Sequence, residues 1–179
     1  MELLEILQNR RSIRSYTGAT IPDDKLQRIL QAGLLSASSR GRCPWELIVV
    51  RDKDMLKKMS ACRTGSARML SGADAAVVVI ADTQVSDVWT EDCSIVMSNM
   101  HLMADSLGVG SCWIQGRLRE TPDGSSTEGY LRELLKFPAN FALEAILSLG
   151  MPKEHPAKRE LSDLPLHKIH KEQFSERGM

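Results

Sequence analysis

Aromatic side chains are scarce in this chain: Trp, Tyr and Phe make up 4% of its 179 residues. Net charge is absent too, because 23 Lys and Arg offset 23 Asp and Glu. A neutral protein sets up no general field toward nucleic acid or an anionic membrane surface, so neither is expected as a partner. No apolar run reaches the ~18 residues that a membrane-spanning helix requires. The first residues carry Glu2 and Glu5 where a secretory leader has its apolar stretch. A soluble, cytoplasmic protein is the expectation. The four cysteines, Cys43, Cys62, Cys93 and Cys112, show none of the usual zinc spacings and no secreted disulfide framework, so no metal site is expected and free thiols in a reducing compartment fit them. A nucleophilic Cys43 has no histidine tied to it by spacing. The phosphate loop Gly-x-x-x-x-Gly-Lys-Ser/Thr, the Gly-x-Ser-x-Gly elbow and the His-Glu-x-x-His zinc helix are all missing. Gly108-Val109-Gly110 lacks the third glycine of a dinucleotide fingerprint and follows a helical pattern instead of a strand.

What is present suits one domain over residues 1–179: 42% hydrophobic, 26% charged, and long enough for a full core. Leu3, Leu4, Ile6 and Leu7 recur at helical spacing and predict a short first helix over residues 2–10. Pro22 at a first helical position, Asp23 and Asp24 in the first turn and the apolar face Leu26, Ile29, Leu30 and Leu34 predict a second, ending near Leu35. Trp45–Arg51 reads as a buried strand, followed by a helix capped by Asp52. Ala75–Ala81 is apolar throughout, as in a strand covered on both faces. Asp87–Leu107 predicts the longest helix, apolar around most of its circumference and therefore central or shared with another subunit, with Gly108 as its stop. His101 on it reads as a satisfied core or interface histidine. Ser111–Gln115 and Phe141–Leu149 predict two further strands, with a surface loop over 121–128 and a short helix over 130–135 between them. The segment 153–179 is too apolar for simple disorder and is expected to pack along the body or onto a partner subunit.

Against this background Arg10-Arg11-Ser12-Ile13-Arg14-Ser15-Tyr16 stands out, with three guanidinium groups and three hydroxyls in seven residues. Guanidinium forks seek carboxylate or phosphate oxygens. A solvated basic turn and a clamp for a bound anion both fit. The dipole of the first helix accounts for Arg10 and Arg11 at its C-terminal end, but not for Arg14.

The order of motifs resembles the nitroreductase family of FMN-dependent oxidoreductases, in a compact subgroup. They are Arg10-Arg11-Ser12-Ile13-Arg14 after a short helix, Ser38-Ser39 and Pro44-Trp45 entering a strand, Gly108-x-Gly110-Ser111-Cys112-Trp113-Ile114, the Gly150-x-Pro152 turn, and Trp89-x-Glu91-Asp92 on the long helix. The resemblance implies an α+β (layered α/β) fold: a mixed or antiparallel sheet flanked by helices around a long central helix, assembled as a homodimer that binds FMN at its interface. It implies that Arg10 and Arg11 clamp the FMN phosphate with Ser12, and that Arg14 faces flavin N1 and O2. Ser38, Ser39 and Gly41 would line the flavin, Trp113, Ile114 and Gln115 would run along its ring, and Lys158 or Arg159 would close the phosphate. Arg68 matches a further basic position loosely. No side-chain nucleophile is needed, because the flavin carries the reaction. NADH or NADPH would reduce it and a small electron-poor acceptor, nitroaromatic or quinone, would reoxidise it in ping-pong fashion. Gly41 and Cys43 stand where family members often have Asn and Gln, which removes a usual contact to the flavin pyrimidine edge; Arg40 or Arg42 are the replacements at hand. A flavin carrier or redox sensor without turnover, and a same-fold dehalogenase or oxidase, are the alternative functions.

Overall fold

The structure is a computed structural model that describes residues 2–174. Its helices are α1 (Leu3–Asn9), α2 (Asp23–Leu34), α3 (Lys53–Met59), α4 (Trp89–Ser106) and α5 (Thr127–Leu135), and its strands are β1 (Trp45–Val50), β2 (Ala75–Asp82), β3 (Gly110–Gln115) and β4 (Phe141–Gly150). The four strands form one sheet in the order β1-β2-β4-β3, and every ladder is antiparallel. The architecture is α+β, with helices on both faces. The side-chain alternation of β2 makes the two layers. Val77 and Val79 join Val96, Met97 and Met100 of α4 and Ile29 of α2. Val78 and Ile80 join Leu56 and Met59 of α3 and Leu131 of α5. Each fully buried Val or Ile contributes about 1.5–3 kcal/mol of apolar transfer, which explains why β2 carries no polar residue before Asp82.

Three sequence expectations shift. Trp45–Val50 is an edge strand rather than a buried one, with Glu46 and Val49 exposed; its β-branched run fits a half-covered surface equally well. Pro22 is the N-cap and not the first helical residue. The short helix before Phe137 starts at Thr127, because the Ser126 hydroxyl accepts from the Gly129 amide and caps it there. The Asp52 cap forms as expected, accepting from the Met55 amide at 2.7 Å.

Residues 12–17 run along the open side of the sheet. Ser12 bridges Ser111 in parallel and Tyr16 bridges Pro152 in antiparallel fashion. The Ile13 amide donates to the Ser111 carbonyl and the Thr17 amide to Met151, both at 2.9 Å. The approach is close enough to demand glycine: a Cβ on Gly110 would lie 2.8 Å from Ile13 Cγ2, and one on Gly150 would lie 2.6 Å from the Tyr16 ring. The Tyr16 hydroxyl is buried, donating to the Ile13 carbonyl at 2.9 Å or sharing its proton with Ser148 at 2.8 Å. Burial pushes its pKa up.

The C-terminal segment leaves β4 and returns to the N-terminus. The Lys153 amide donates to Ser15 at 3.1 Å and the Arg159 amide to the Gln8 carbonyl at 3.0 Å. Beyond this, Leu161, Leu164, Leu166, Ile169 and Phe174 are exposed, so the expected packing of the tail along the body stops at about Arg159. Residues 175–179 of that tail lie outside the described residues. Among the described residues no helix is long and apolar enough to cross a membrane.

Candidate functional site

The turn from α1 into the sheet-edge segment places the arginines. Arg10 is the C-cap of α1, where its own amide closes the last turn on Ile6. Its guanidinium reaches inward, with Nη1 donating to His101 Nε2 at 2.9 Å. Arginine accepts no hydrogen bond, so Nε2 is the acceptor and the ring proton sits on Nδ1, which faces Ser111 Oγ at 2.5 Å. His101 is thus a neutral bridge between α4, β3 and Arg10. Burial, followed by the charge of Arg10, lowers its pKa to about 4. One turn on, Asp105 accepts from Asn9 Nδ2 at 3.0 Å and faces His155 Nε2 at 3.3 Å, tying helix, arginine turn and tail together.

Arg11 Nη1 donates to the Ala157 carbonyl, and Arg159 is paired with Gln8 through both backbone groups. Three cations from opposite ends of the chain therefore meet. The Arg10 pKa is depressed by burial first, then by Arg159, and also by Arg11, against the opposing pull of Asp105. Cations gathered at this cost to one another make an anion site. Lys158 lines a groove with Glu5, Gln8 and Asn9, so of the expected basic pair Arg159 is the one that acts on Arg10.

Arg14 is exposed. It bounds a cleft of about 330 Å3 together with Arg63, Gly65, Ser66, Met69, Cys112 and Trp113. The Cys112 thiol donates to the Trp113 carbonyl at 3.6 Å, and burial raises its pKa while Arg14, Ser12 and Arg10 pull it back. The second cation of this cleft is Arg63. Arg68 is exposed at the start of a 3-10 turn and does not line it. Arg63 sits in Arg63-Thr64-Gly65-Ser66, whose turn-forming residues were the signal available in the sequence.

The remaining expected residues divide. Trp113 Nε1 donates to Gln115 Oε1 at 2.9 Å, and Gln115 Nε2 reaches the Glu144 carbonyl at 3.3 Å, so both side chains are held along one strand. Ile114 alternates to the other face and is buried against β4 and α5, leaving only its backbone for any ligand on the Trp113 side. Ser38 and Ser39 organise their own loop. Ser38 Oγ accepts from the Cys43 amide at 2.9 Å, and the Ser39 amide donates to the buried Asp92 at 2.8 Å. Gly41 is exposed at φ +65°, with open space where a Cβ would lie. Arg42 holds the Val85 carbonyl at 2.8 Å, which leaves Arg40 as the cation of that loop without a side-chain partner among the described residues. Ser38, Ser39 and Gly41 do not line the Arg14 cleft of the same chain.

Glu144 escaped sequence reasoning because it lies in an apolar run. A bulge pairs Val79 with Ala145 and Ile80 with Leu143, so Glu144 has no partner across β2. Its carbonyl instead accepts from the Gly116 and Arg117 amides at 3.1 and 2.9 Å. Its buried Oε2 has no hydrogen bond among the described residues. Burial raises its pKa, eased by the Gln115 side chain and by Arg117.

Residues 7–62 and 61–151 match the sequence model of the nitroreductase family. A protein of Archaeoglobus fulgidus, provisionally named NADH dehydrogenase/NAD(P)H nitroreductase, is 40% identical over 178 residues, covering 97% of this chain and 99% of its own. The NADPH-flavin oxidoreductase of Vibrio harveyi is 29% identical over 97% of this chain and 75% of its own length. Among solved structures, an FMN-dependent nitroreductase from Clostridium difficile superposes with a TM-score of 0.93 at 44% identity, covering 96% of this chain and 99% of that one.

Proposed function

This chain belongs to the nitroreductase family, and we propose that it binds FMN between the Arg10–Arg159 anion site and the Arg14 cleft. It is an FMN-dependent NAD(P)H oxidoreductase. The acceptor we propose is a small electron-poor molecule of the nitroaromatic or quinone type, taking turns with the nicotinamide at one site. The observation that carries the reading is the meeting of Arg10, Arg11 and Arg159 beside a cleft bounded by Arg14 and Trp113. These residues fit the cofactor: a phosphate matches the clustered guanidinium forks, and a flat ring with a polar edge suits a cleft of about 330 Å3 carrying two further arginines.

When bound, FMN supplies the two-electron exchange between nicotinamide and acceptor. Arg10 and Arg159 would hold its phosphate, with Arg11 and Ser12 closing the turn around it. Arg14 would set a fixed cation against the ring edge where charge accumulates on reduction. The backbone of Trp113, Ile114 and Gln115 would border the ring. Ser38, Ser39 and Gly41 would reach the site from a second subunit of a homodimer. The exposed Leu161, Leu164 and Leu166 suit a tail that clasps that subunit as an extension of one domain. We place the protein in the cytoplasm.

The test is the absorbance spectrum after incubation with excess FMN and desalting. Flavin bands at about one per chain are expected. Arg159→Gln should weaken FMN by ~10- to 100-fold, the worth of one charge-assisted hydrogen bond. A colourless wild-type protein overturns the reading.

A further inference from the structure

Beside the Arg14 cleft lies a shallower groove of about 390 Å3, walled by Arg63, Thr64, Leu118, Arg119 and Glu120. Arg63 belongs to both. The two loops that form the groove are fastened to each other. The Glu120 carbonyl accepts from the Thr64 amide at 3.0 Å and from its hydroxyl at 3.3 Å, and Thr127 Oγ1 donates to the Cys62 carbonyl at 2.7 Å. Arg63 and Arg119 are therefore carried on a cross-linked pair of loops.

Each of these arginines engages a carbonyl and keeps donors in reserve. Arg63 Nη1 donates to Gln115 at 3.3 Å and Arg119 Nη1 to Leu118 at 2.8 Å, out of five N–H donors on a guanidinium. Among the described residues the arginines that form ion pairs are Arg51 and Arg132, not these two. Glu120 is the one carboxylate on the wall, so the groove keeps a positive excess in a chain of zero net charge.

We propose that this groove docks an anionic group, phosphate or carboxylate, on a substrate that reacts in the neighbouring cleft, with Arg119 and the outward donors of Arg63 as its recognition elements. The proposal rests on the flavin reading for the identity of that cleft. Two substrates can bring such an anion: a nicotinamide donor carrying an extra phosphate, or an acceptor carrying a carboxylate. A planar fork binds either through paired hydrogen bonds.

The experiment compares wild type with Arg119→Gln and Arg63→Gln. Binding of 2′,5′-ADP and of 4-nitrobenzoate to FMN-free protein is measured by calorimetry. Turnover is measured with NADPH against NADH, and with 4-nitrobenzoate against 4-nitrobenzamide. In alternating turnover the kcat/KM of each substrate is separate. Arg119→Gln should retain FMN and lower one preference, NADPH over NADH or the benzoate over the benzamide, by roughly tenfold for an exposed charge-assisted contact. The preference that falls identifies the source, and binding of the matching probe weakens with it. Unchanged preferences and unchanged probe binding in both variants overturn the proposal. Failure of the flavin reading shows separately, as wild type that retains no FMN, and the 2′,5′-ADP and nitrobenzoate titrations still decide the groove.

Discussion

Acid dismantles the anchor that holds Arg10. His101 accepts from Arg10 through Nε2 and faces Ser111 through Nδ1. Protonating Nε2 turns the acceptor into a donor aimed at a permanent cation. Burial and Arg10 set its pKa at about 4, against an ordinary 6.5. Between those values the unfolded chain binds a proton that the folded chain refuses, so stability rises with pH across the window and is lost as pH falls through it. At ~1.4 kcal/mol per pH unit the whole window is worth about 3 kcal/mol. His101→Phe keeps a ring of similar volume but removes both the titration and the two hydrogen bonds. At pH 7.5 the variant should be less stable by about 1–3 kcal/mol, because an Arg10 donor and the Ser111 hydroxyl lose their partner. On acidification wild type loses what the variant no longer has to lose, so the two stabilities converge by about pH 4.5. Urea unfolding of FMN-free protein at one protein concentration, from pH 7.5 to 4.5, measures this difference, and carboxylates titrating in both proteins cancel from it. Parallel stability curves would refute the neutral-bridge assignment.

Glu144 gives the opposite sign. Its raised pKa means that the folded chain keeps a proton the unfolded chain has released, so its contribution is present at low pH and lost as pH rises through the raised value. Glu144→Gln should raise the melting temperature, with the gain larger at pH 8 than at pH 5. Gly150→Ala forces a methyl to within 2.6 Å of the Tyr16 ring and should cost about 1–3 kcal/mol in chemical denaturation; a neutral result would mean that the sheet-edge segment is not held as described. Arg14→Ala should retain FMN and lower its midpoint potential by roughly 20 mV, taking ~1 kcal/mol for a solvent-exposed charge contact. A spectroelectrochemical titration reads that shift, and an unchanged potential places Arg14 away from the ring.

Elements declared by their own residues were legible in the sequence. The unbroken apolar run of β2, the length of α4 and the Asp52 cap each follow from local chemistry. Strand order did not, since nothing in Ala75–Ala81 or Phe141–Leu149 says that β4 slots between β2 and β3. Nor did exposure: Trp45–Val50 has the composition of a central strand and stands at the edge. At the candidate site the arginines were visible because charge clusters show in a sequence. Their supports were not. His101 and Asp105 sit 91 and 96 residues from the Arg10 and Asn9 groups they hold, and Glu144 owes its unpaired oxygen to a bulge that only the sheet register creates. The sequence pointed to Arg68, but that Arg63 lines the cleft in its place depends on where one turn ends and the next begins.

The clasp between Gln8 and Arg159 joins residues 151 positions apart, which sets a schedule as well as a shape. A ribosome adding about 5–20 residues per second needs roughly 8 to 30 s to travel from one to the other. For nearly all of that interval Arg10 and Arg11 have been made while their third cation has not. The sheet itself cannot close earlier either, because β4 is among the last elements to emerge. The three-cation cluster is thereby completed only near the end of synthesis, and a chain cut short before residue 159 carries two of its three cations.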